Sequence, residues 1–190
     1  MKLPQIYCDM DGVLADLERF CMDHLNEPIN RTNWINLPED VFFQLPLMED
    51  AKTLWSYIVK FDPFILTALP KHDEERSKRA KKDKILWMKE KFNFPEEKMY
   101  CVFRHEKQNY SFSKKNGMAN LLIDDYIVNI EEFKNKGGIA ILVAMLVILV
   151  YIIFRFQIKF GYGAIAALFH DVLIILGIFS VFSLSFDLSV

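Results

Sequence analysis

Asp9-Met10-Asp11-Gly12 follows a short apolar run, QIYC, at residues 5–8. Two acids separated by one residue, on a loop leaving a buried strand, can aim both carboxylates into one pocket. Gly12 permits the tight turn that this requires. Carboxylates so placed can divide labour, one attacking phosphorus and the other moving the proton. A second acidic pair, Asp124-Asp125, closes a later apolar run, LLID, and Thr67 closes the run PFILT. Three or four convergent carboxylates repel one another unless a hard cation sits among them, and an all-oxygen ligand set suits Mg²⁺. A single DxD pair often does no more than cap a turn. Three polar strand ends together point to a site.

These side chains can meet only if strand ends lie side by side. Leu14, Leu17, Phe20, Cys21 and Leu25 recur at helical spacing, so a helix follows the first strand. Residues 28–50 are punctuated by Pro28, Pro38 and Pro46 and carry Trp34, Phe42 and Phe43; residues 51–60 read as a helix. Strands are expected at 63–67, at MYCVF (99–103) and at LLID (121–124). Between them the run 71–84 (KHDEERSKRAKKDK) mixes both signs of charge and reads as a solvated helix face. Strands alternating with helices imply a parallel α/β sheet whose chemistry lies at the carboxyl ends of the strands.

DMDGVLAD (9–16), FFQLPLM (42–48), ILTALPK (65–71), FRHEK (103–107) and LLIDDY (121–126) resemble the haloacid-dehalogenase (HAD) superfamily, in particular the 5′(3′)-deoxyribonucleotidase group. The resemblance covers residues 1–140. It implies a Rossmann-like parallel-sheet domain with a small helical cap, inserted at about 17–60, and a Mg²⁺-dependent phosphomonoesterase working through an aspartyl-phosphate. It implies Asp9 as nucleophile, Asp11 as general acid and then base, and Thr67 as a phosphate-oxygen donor. Asp124 and Asp125 join Asp9 and Asp11 around the metal. Lys107 is favoured as the cation on the transferring phosphoryl because it shortly follows a strand; Lys71, Lys114 and Lys115 are the alternatives. Trp34, Phe42 and Phe43 fall in the cap, where aromatic stacking suits a nucleobase. The implied substrate is a small nucleotide or another phosphomonoester.

The 190 residues carry 23 Lys+Arg against 25 Asp+Glu, a formal net charge of −2. Such a balance leaves no basic footprint for a nucleic acid polymer. Three cysteines in no metal-like spacing exclude a disulfide scaffold. The charge is unevenly spread, because residues 138–190 hold only Arg155, Lys159, Asp171 and Asp187. Gly138 to Phe154 is a run of 17 uncharged residues, and 160–186 is apolar again apart from His170 and Asp171. Lengths of about 17–25 residues suit bilayer spans, so a two-helix transmembrane hairpin over 138–186 is expected. MKLPQIYCDMDG has no secretory h-region, which places the catalytic part on the cytoplasmic side of that membrane.

The stretch LVYIIFRFQIKFGYGAIAALFHDVLIILGIFSVFSLSFDLSV is similar to the membrane region of the SecD/SecF protein-export family, the SecF subunit above all. The resemblance makes residues 141–190 a truncated SecF-like segment and implies Sec-type membrane subunits as partners. The two resemblances collide at GGIAILV (137–143). The fold that the first resemblance implies wants it as a fifth strand, and the first span needs it as helix. A fusion of two reading frames accounts for both. The alternative is a truncated export subunit with an inactive N-terminal half.

Overall fold

In the computed structural model the described residues are 3–30, 32–71, 73–113, 117–143 and 170. The chain divides into two compact units, Met1–Val147 and Ile148–Val190. Of the second, only His170 is described.

The first unit is built on five parallel strands: β1 (Ile6–Cys8), β2 (Phe64–Leu69), β3 (Met99–Phe103), β4 (Leu121–Asp124) and β5 (Ile139–Leu142). Their order is β3-β2-β1-β4-β5. From β1 the chain winds outward through β2 to β3, then returns to the other side of β1 for β4 and β5. The winding therefore reverses between β1 and β4. In open α/β sheets the crevice at such a reversal, beyond the carboxyl ends of the strands, is where ligands sit.

Side chains alternate across the sheet as the pleat requires. Ile6, Cys8, Ile65, Met99 and Ile123 pack into a core shared with the inserted helices and with α4 (Glu74–Phe92). Tyr7, Leu66, Leu122 and Ala140 face the other way, against Ile130 and Phe133 of α5 (Ile127–Asn135). Thr67 follows Ile65 by two residues and so points to the α4 side.

The insertion between β1 and β2 contains α1 (Leu17–Leu25), α2 (Val41–Gln44) and α3 (Ala51–Ile58). Asp16 starts α1, its side chain accepting the Arg19 N–H at 3.0 Å. The chain leaves and re-enters at one point, where Asp16 N donates to Pro46 O and Met48 N donates to Leu14 O, both at 2.9 Å. Trp87 of α4 donates its indole N–H to Leu45 O at 2.7 Å, which ties the small helical layer to the main body.

The expected first span does not begin at Gly138. Residues Ile139–Leu142 are β5, registered against β4 as Leu121↔Ile139 through Asp124↔Leu142. With those residues in the sheet, 12 uncharged residues, 143–154, remain before Arg155. A helix of that length reaches about 18 Å, well short of the roughly 30 Å hydrocarbon core of a bilayer. Residues 144–169 and 171–190 lie outside the described residues. Among the described residues no helix is long and apolar enough to cross a membrane, so the hairpin finds no support there.

Since Ala140 packs with Leu122 and Phe133, β5 belongs to the folding unit. A chain ending after Val143 is expected to unfold cooperatively and stay monodisperse. One ending after Lys136 should aggregate, because it bares the β4 edge and an apolar face. Thermal melts and size-exclusion chromatography of the two distinguish them, and equal behaviour would show that the sheet does not need β5.

Candidate functional site

The carboxyl ends of β1 and β4 carry the acids. Asp9 leaves β1 with its backbone N–H bound to Ile123 O at 2.9 Å, which locks the two strand ends together. One carboxylate oxygen, Oδ1, accepts the Met10 N–H at 2.7 Å; the other, Oδ2, accepts the Lys107 ammonium at 2.6 Å. Beyond it the chain turns sharply, with Leu14 N and Ala15 N both donating to Met10 O at 2.8 Å. Gly12 makes that turn at φ +71° and faces Asp125 so closely that a Cβ would lie 2.0 Å from Asp125 Oδ2. Only glycine fits both the conformation and the space.

Two buried lysines hold the acids apart. Lys107 comes from a 3₁₀ turn, Arg104–Tyr110, that follows β3 directly. It is 1% exposed and bridges Asp9 Oδ2 and Asp124 Oδ2, the latter at 2.9 Å. Burial works against its charge, yet Asp9 and Asp124 outweigh burial and hold its pKa above the ordinary lysine value. Lys84, on α4, is fully buried. Its ammonium binds Asp11 Oδ2, donates to Thr67 Oγ1 at 2.8 Å and to Ala68 O at 2.8 Å, and lies 4.4 Å from the centre of the Phe42 ring.

Asp9, Asp11, Thr67, Lys107, Asp124 and Asp125 thus fall into one cluster, joined by the two lysines and by the close approach of Asp9, Asp124 and Asp125. Lys84 belongs there too and was not singled out in the sequence. Its signal was available: Ser77, Ala80, Lys84, Trp87 and Met88 are the buried stripe of α4 at helical spacing. Lys71 is exposed, and Lys114 and Lys115 lie outside the described residues. Of the cap aromatics, Phe42 reaches the site through Lys84. Trp34 packs 5.8 Å from Phe42 and carries the Arg76 guanidinium over its ring at 5.0 Å. Phe43 is turned away, 39% exposed beside Asp40, Arg79 and Leu86. Cys8 is buried, its thiol pushed far up by burial and then by Asp9 and Asp124.

Four carboxylates stand against two ammoniums, so the ionised crevice is short of positive charge. Asp125 keeps one side exposed, yet the protein packed about its carboxyl, then Asp9 and Asp124, push it up to about 7. Burial is also the main reason that Asp11 is raised, with Lys84 opposing it. Among the described residues Asp9, Asp124 and Asp125 each offer a carboxylate oxygen within 4.8 Å of one another. That hard, oxygen-only, electron-rich set fits a divalent cation such as Mg²⁺. Asp11, expected among the ligands, is outside the group, with Oδ2 held by Lys84 and Oδ1 buried without a partner.

Comparison with known proteins bears on the other end of the chain. Residues 124–190 match the family model "Protein export membrane protein SecD/SecF, C-terminal". The C-terminal third is SecF-like. Protein translocase subunit SecF of Pseudomonas aeruginosa is 48% identical over 60 residues, 32% of this chain and 20% of that protein. The Rhodothermus marinus subunit is 51% identical over 63 residues, covering 30% and 20%. The chain therefore spans about a fifth of these relatives. The matched stretch opens at Asp124, and up to Val143 it folds here as the end of β4, α5 and β5. Among solved structures, a hydrolase from Streptococcus pneumoniae TIGR4 aligns with 75% of this chain and 93% of its own at 15% identity and TM-score 0.44. That likeness is too slight to assign an activity.

The raised Asp125 gives a signed expectation. Between about pH 4 and 7 the folded, metal-free chain keeps a proton that the unfolded chain releases, so stability falls as pH rises through that window. Asp125→Asn should flatten this part of the melting-temperature profile. Mg²⁺ should raise the melting temperature most near pH 7, where the carboxylate is free to bind it. A profile that Asp125→Asn leaves unchanged would show that Asp125 does not titrate there.

Proposed function

We propose that the N-terminal unit is a Mg²⁺-dependent phosphomonoesterase of the HAD type, with a nucleoside monophosphate as the favoured substrate class. The observation that carries the reading is the arrangement at the β1/β4 reversal: a carboxylate, Asp9, fixed by a backbone N–H and by Lys107, with Asp11, Lys84 and Thr67 on its other side.

In this reading the phosphoryl group enters over Asp9. An Asp9 oxygen attacks phosphorus, the bond to the leaving oxygen breaks, and Asp11 gives that oxygen its proton. Water then attacks the aspartyl-phosphate and gives a proton to Asp11, and Asp9 is released with orthophosphate. Burial raises Asp11, which suits a group that must start protonated. Thr67 and the remaining N–H of Lys107 supply donors for phosphoryl oxygens, and Lys84 adds positive charge nearby, where negative charge spreads as the bond breaks. A divalent cation held by Asp9 and Asp125 would offset charge on those oxygens. Phe42 and Trp34 supply apolar surface toward a base.

A second reading keeps the SecF match in the foreground: a truncated export subunit, with Sec-type membrane partners, whose N-terminal half does no chemistry. The match over residues 124–190 favours it. In either reading the SecF-like residues beyond β5 would attach the N-terminal unit to a membrane, on its cytoplasmic side.

Asp9→Asn should cut hydrolysis of para-nitrophenyl phosphate and of nucleoside monophosphates by at least about a thousandfold, since the covalent step is lost. Asp11→Asn should spare para-nitrophenyl phosphate more than the nucleotides in the first step, because nitrophenolate leaves without a proton. Mg²⁺-dependent turnover by the wild-type chain that survives Asp9→Asn would overturn the mechanism. No turnover by the wild type would favour the export reading.

A further inference from the structure

We propose that Asn129 and Arg104, braced by Glu132, are positioning residues that hold Asp124 and, through it, Lys107. The inference deepens the phosphomonoesterase reading and rests on it for its kinetic consequences, though not for its geometry.

Asp124 is fully buried, and both its oxygens are engaged. Oδ1 accepts the Tyr126 N–H at 2.9 Å and the Asn129 amide at 3.0 Å. Oδ2 accepts Lys107 at 2.9 Å and the same Asn129 amide at 3.0 Å. Asn129 therefore lays its NH₂ group across the whole carboxylate. With its acceptor capacity taken up in this way, Asp124 orients Lys107, and Asp125 is left as the more available acid.

An asparagine can present either end of its amide. At Asn129 the choice is made from behind, where Arg104 Nη1 lies 3.3 Å from Asn129 Oδ1. Arginine only donates. Were the amide turned over, its C=O would face the Asp124 carboxylate and its NH₂ would face the guanidinium, and both contacts would repel. Arg104 is itself aimed by a two-pronged pairing with Glu132, both bonds at 3.1 Å. The spacing makes this a brace: Arg104 precedes Lys107 by three residues in one 3₁₀ turn, and Glu132 follows Asn129 by three on α5. The turn carrying Lys107 and the helix carrying Asn129 are joined at the outside by Arg104–Glu132 and at the inside by Lys107–Asp124.

The outer pair is partly solvent-exposed, with side-chain exposures of 42% and 30%. Such pairs add little to stability, so removing Arg104 should disturb the site more than the fold. The test uses the full chain with Asn129→Leu, Arg104→Met, Arg104→Lys and the double variant Arg104→Met/Asn129→Leu. The first readout is the ¹H–¹⁵N NMR signal of buried lysine ammonium groups in metal-free protein, in which Lys107 and Lys84 are separately observed. Asn129→Leu and Arg104→Met should broaden or abolish the Lys107 signal and leave that of Lys84. Arg104→Lys, which keeps a donor for Asn129 Oδ1, should preserve part of it.

The second readout is kcat on para-nitrophenyl phosphate with Mg²⁺. Asn129→Leu should lower it about ten- to a hundredfold, and Arg104→Met by less. The double variant should be no slower than Asn129→Leu alone, since Arg104 acts only through Asn129. Independent, multiplying losses, or a Lys107 signal unmoved in both single variants, would overturn the proposal. If Asn129→Leu fails to fold, the Lys84 signal goes too, and Arg104→Met decides alone. A wild type without turnover would sink the enzymatic reading while leaving the NMR comparison to judge the positioning.

Discussion

The first unit is organised around a lysine held between two acids. Lys107 bridges Asp9 and Asp124 at the point where the winding of the sheet reverses. Each of the three would be costly to bury alone, and removing one partner of such a set commonly costs about 3–5 kcal/mol. The bridge therefore fixes the register of β1 against β4, and the Asp9 N–H to Ile123 O bond repeats the constraint in the backbone. Lys84 does the same between β2 and the loop after β1, through Thr67, Ala68 and Asp11. These contacts gather two ammoniums around the acids beside the ends of β1 and β4. They also leave the cluster with more negative than positive groups, a balance that suits a divalent cation.

The far edge of the sheet is where two demands on one sequence meet. GGIAILV is apolar enough for either a buried strand or the start of a membrane helix, and periodicity alone cannot separate these. Its neighbours settle the matter here. Leu122 and Phe133 offer Ala140 an apolar seat, and β4 offers β5 a row of hydrogen-bond partners. The SecF family match runs through the same residues. The residues that open the SecF match, 124–143, are thus also the last strand end, helix and strand of the sheet domain.

Much of the site was legible because its acids stand at strand ends. A short apolar run closed by Asp9 or Asp124 is a strong local pattern, and parallel order brings such ends together; Thr67, expected at a strand end, lies inside β2, which runs on to Leu69. Lys107 could be favoured for the same reason, being one short turn past β3. Lys84 was obscured by company: six of the eleven residues from Glu74 to Lys84 are basic, and a charged run suggests a solvated face. What sets it apart is its place in the buried stripe with Ala80 and Trp87, a feature of helix phase rather than composition. Phe42 and Phe43 show the converse. Both looked suited to a base, yet adjacent positions on a short helix point about 100° apart, and only Phe42 turns inward. The bracing of Asp124 by Asn129 and Arg104 was not readable, since it depends on tertiary contacts across 25 residues of chain.

The central claim is that Asp9 is the atom donor to phosphorus. The most direct measurement is to mix the full chain and Mg²⁺ with para-nitrophenyl phosphate, quench in acid, reduce with borohydride and map the peptides by mass spectrometry. An acyl phosphate is reduced to the alcohol, so the account predicts homoserine at position 9, dependent on substrate and absent when phosphate ester is omitted. Release of orthophosphate with aspartate unmodified at position 9, or with homoserine at Asp11, Asp124 or Asp125 instead, would contradict it.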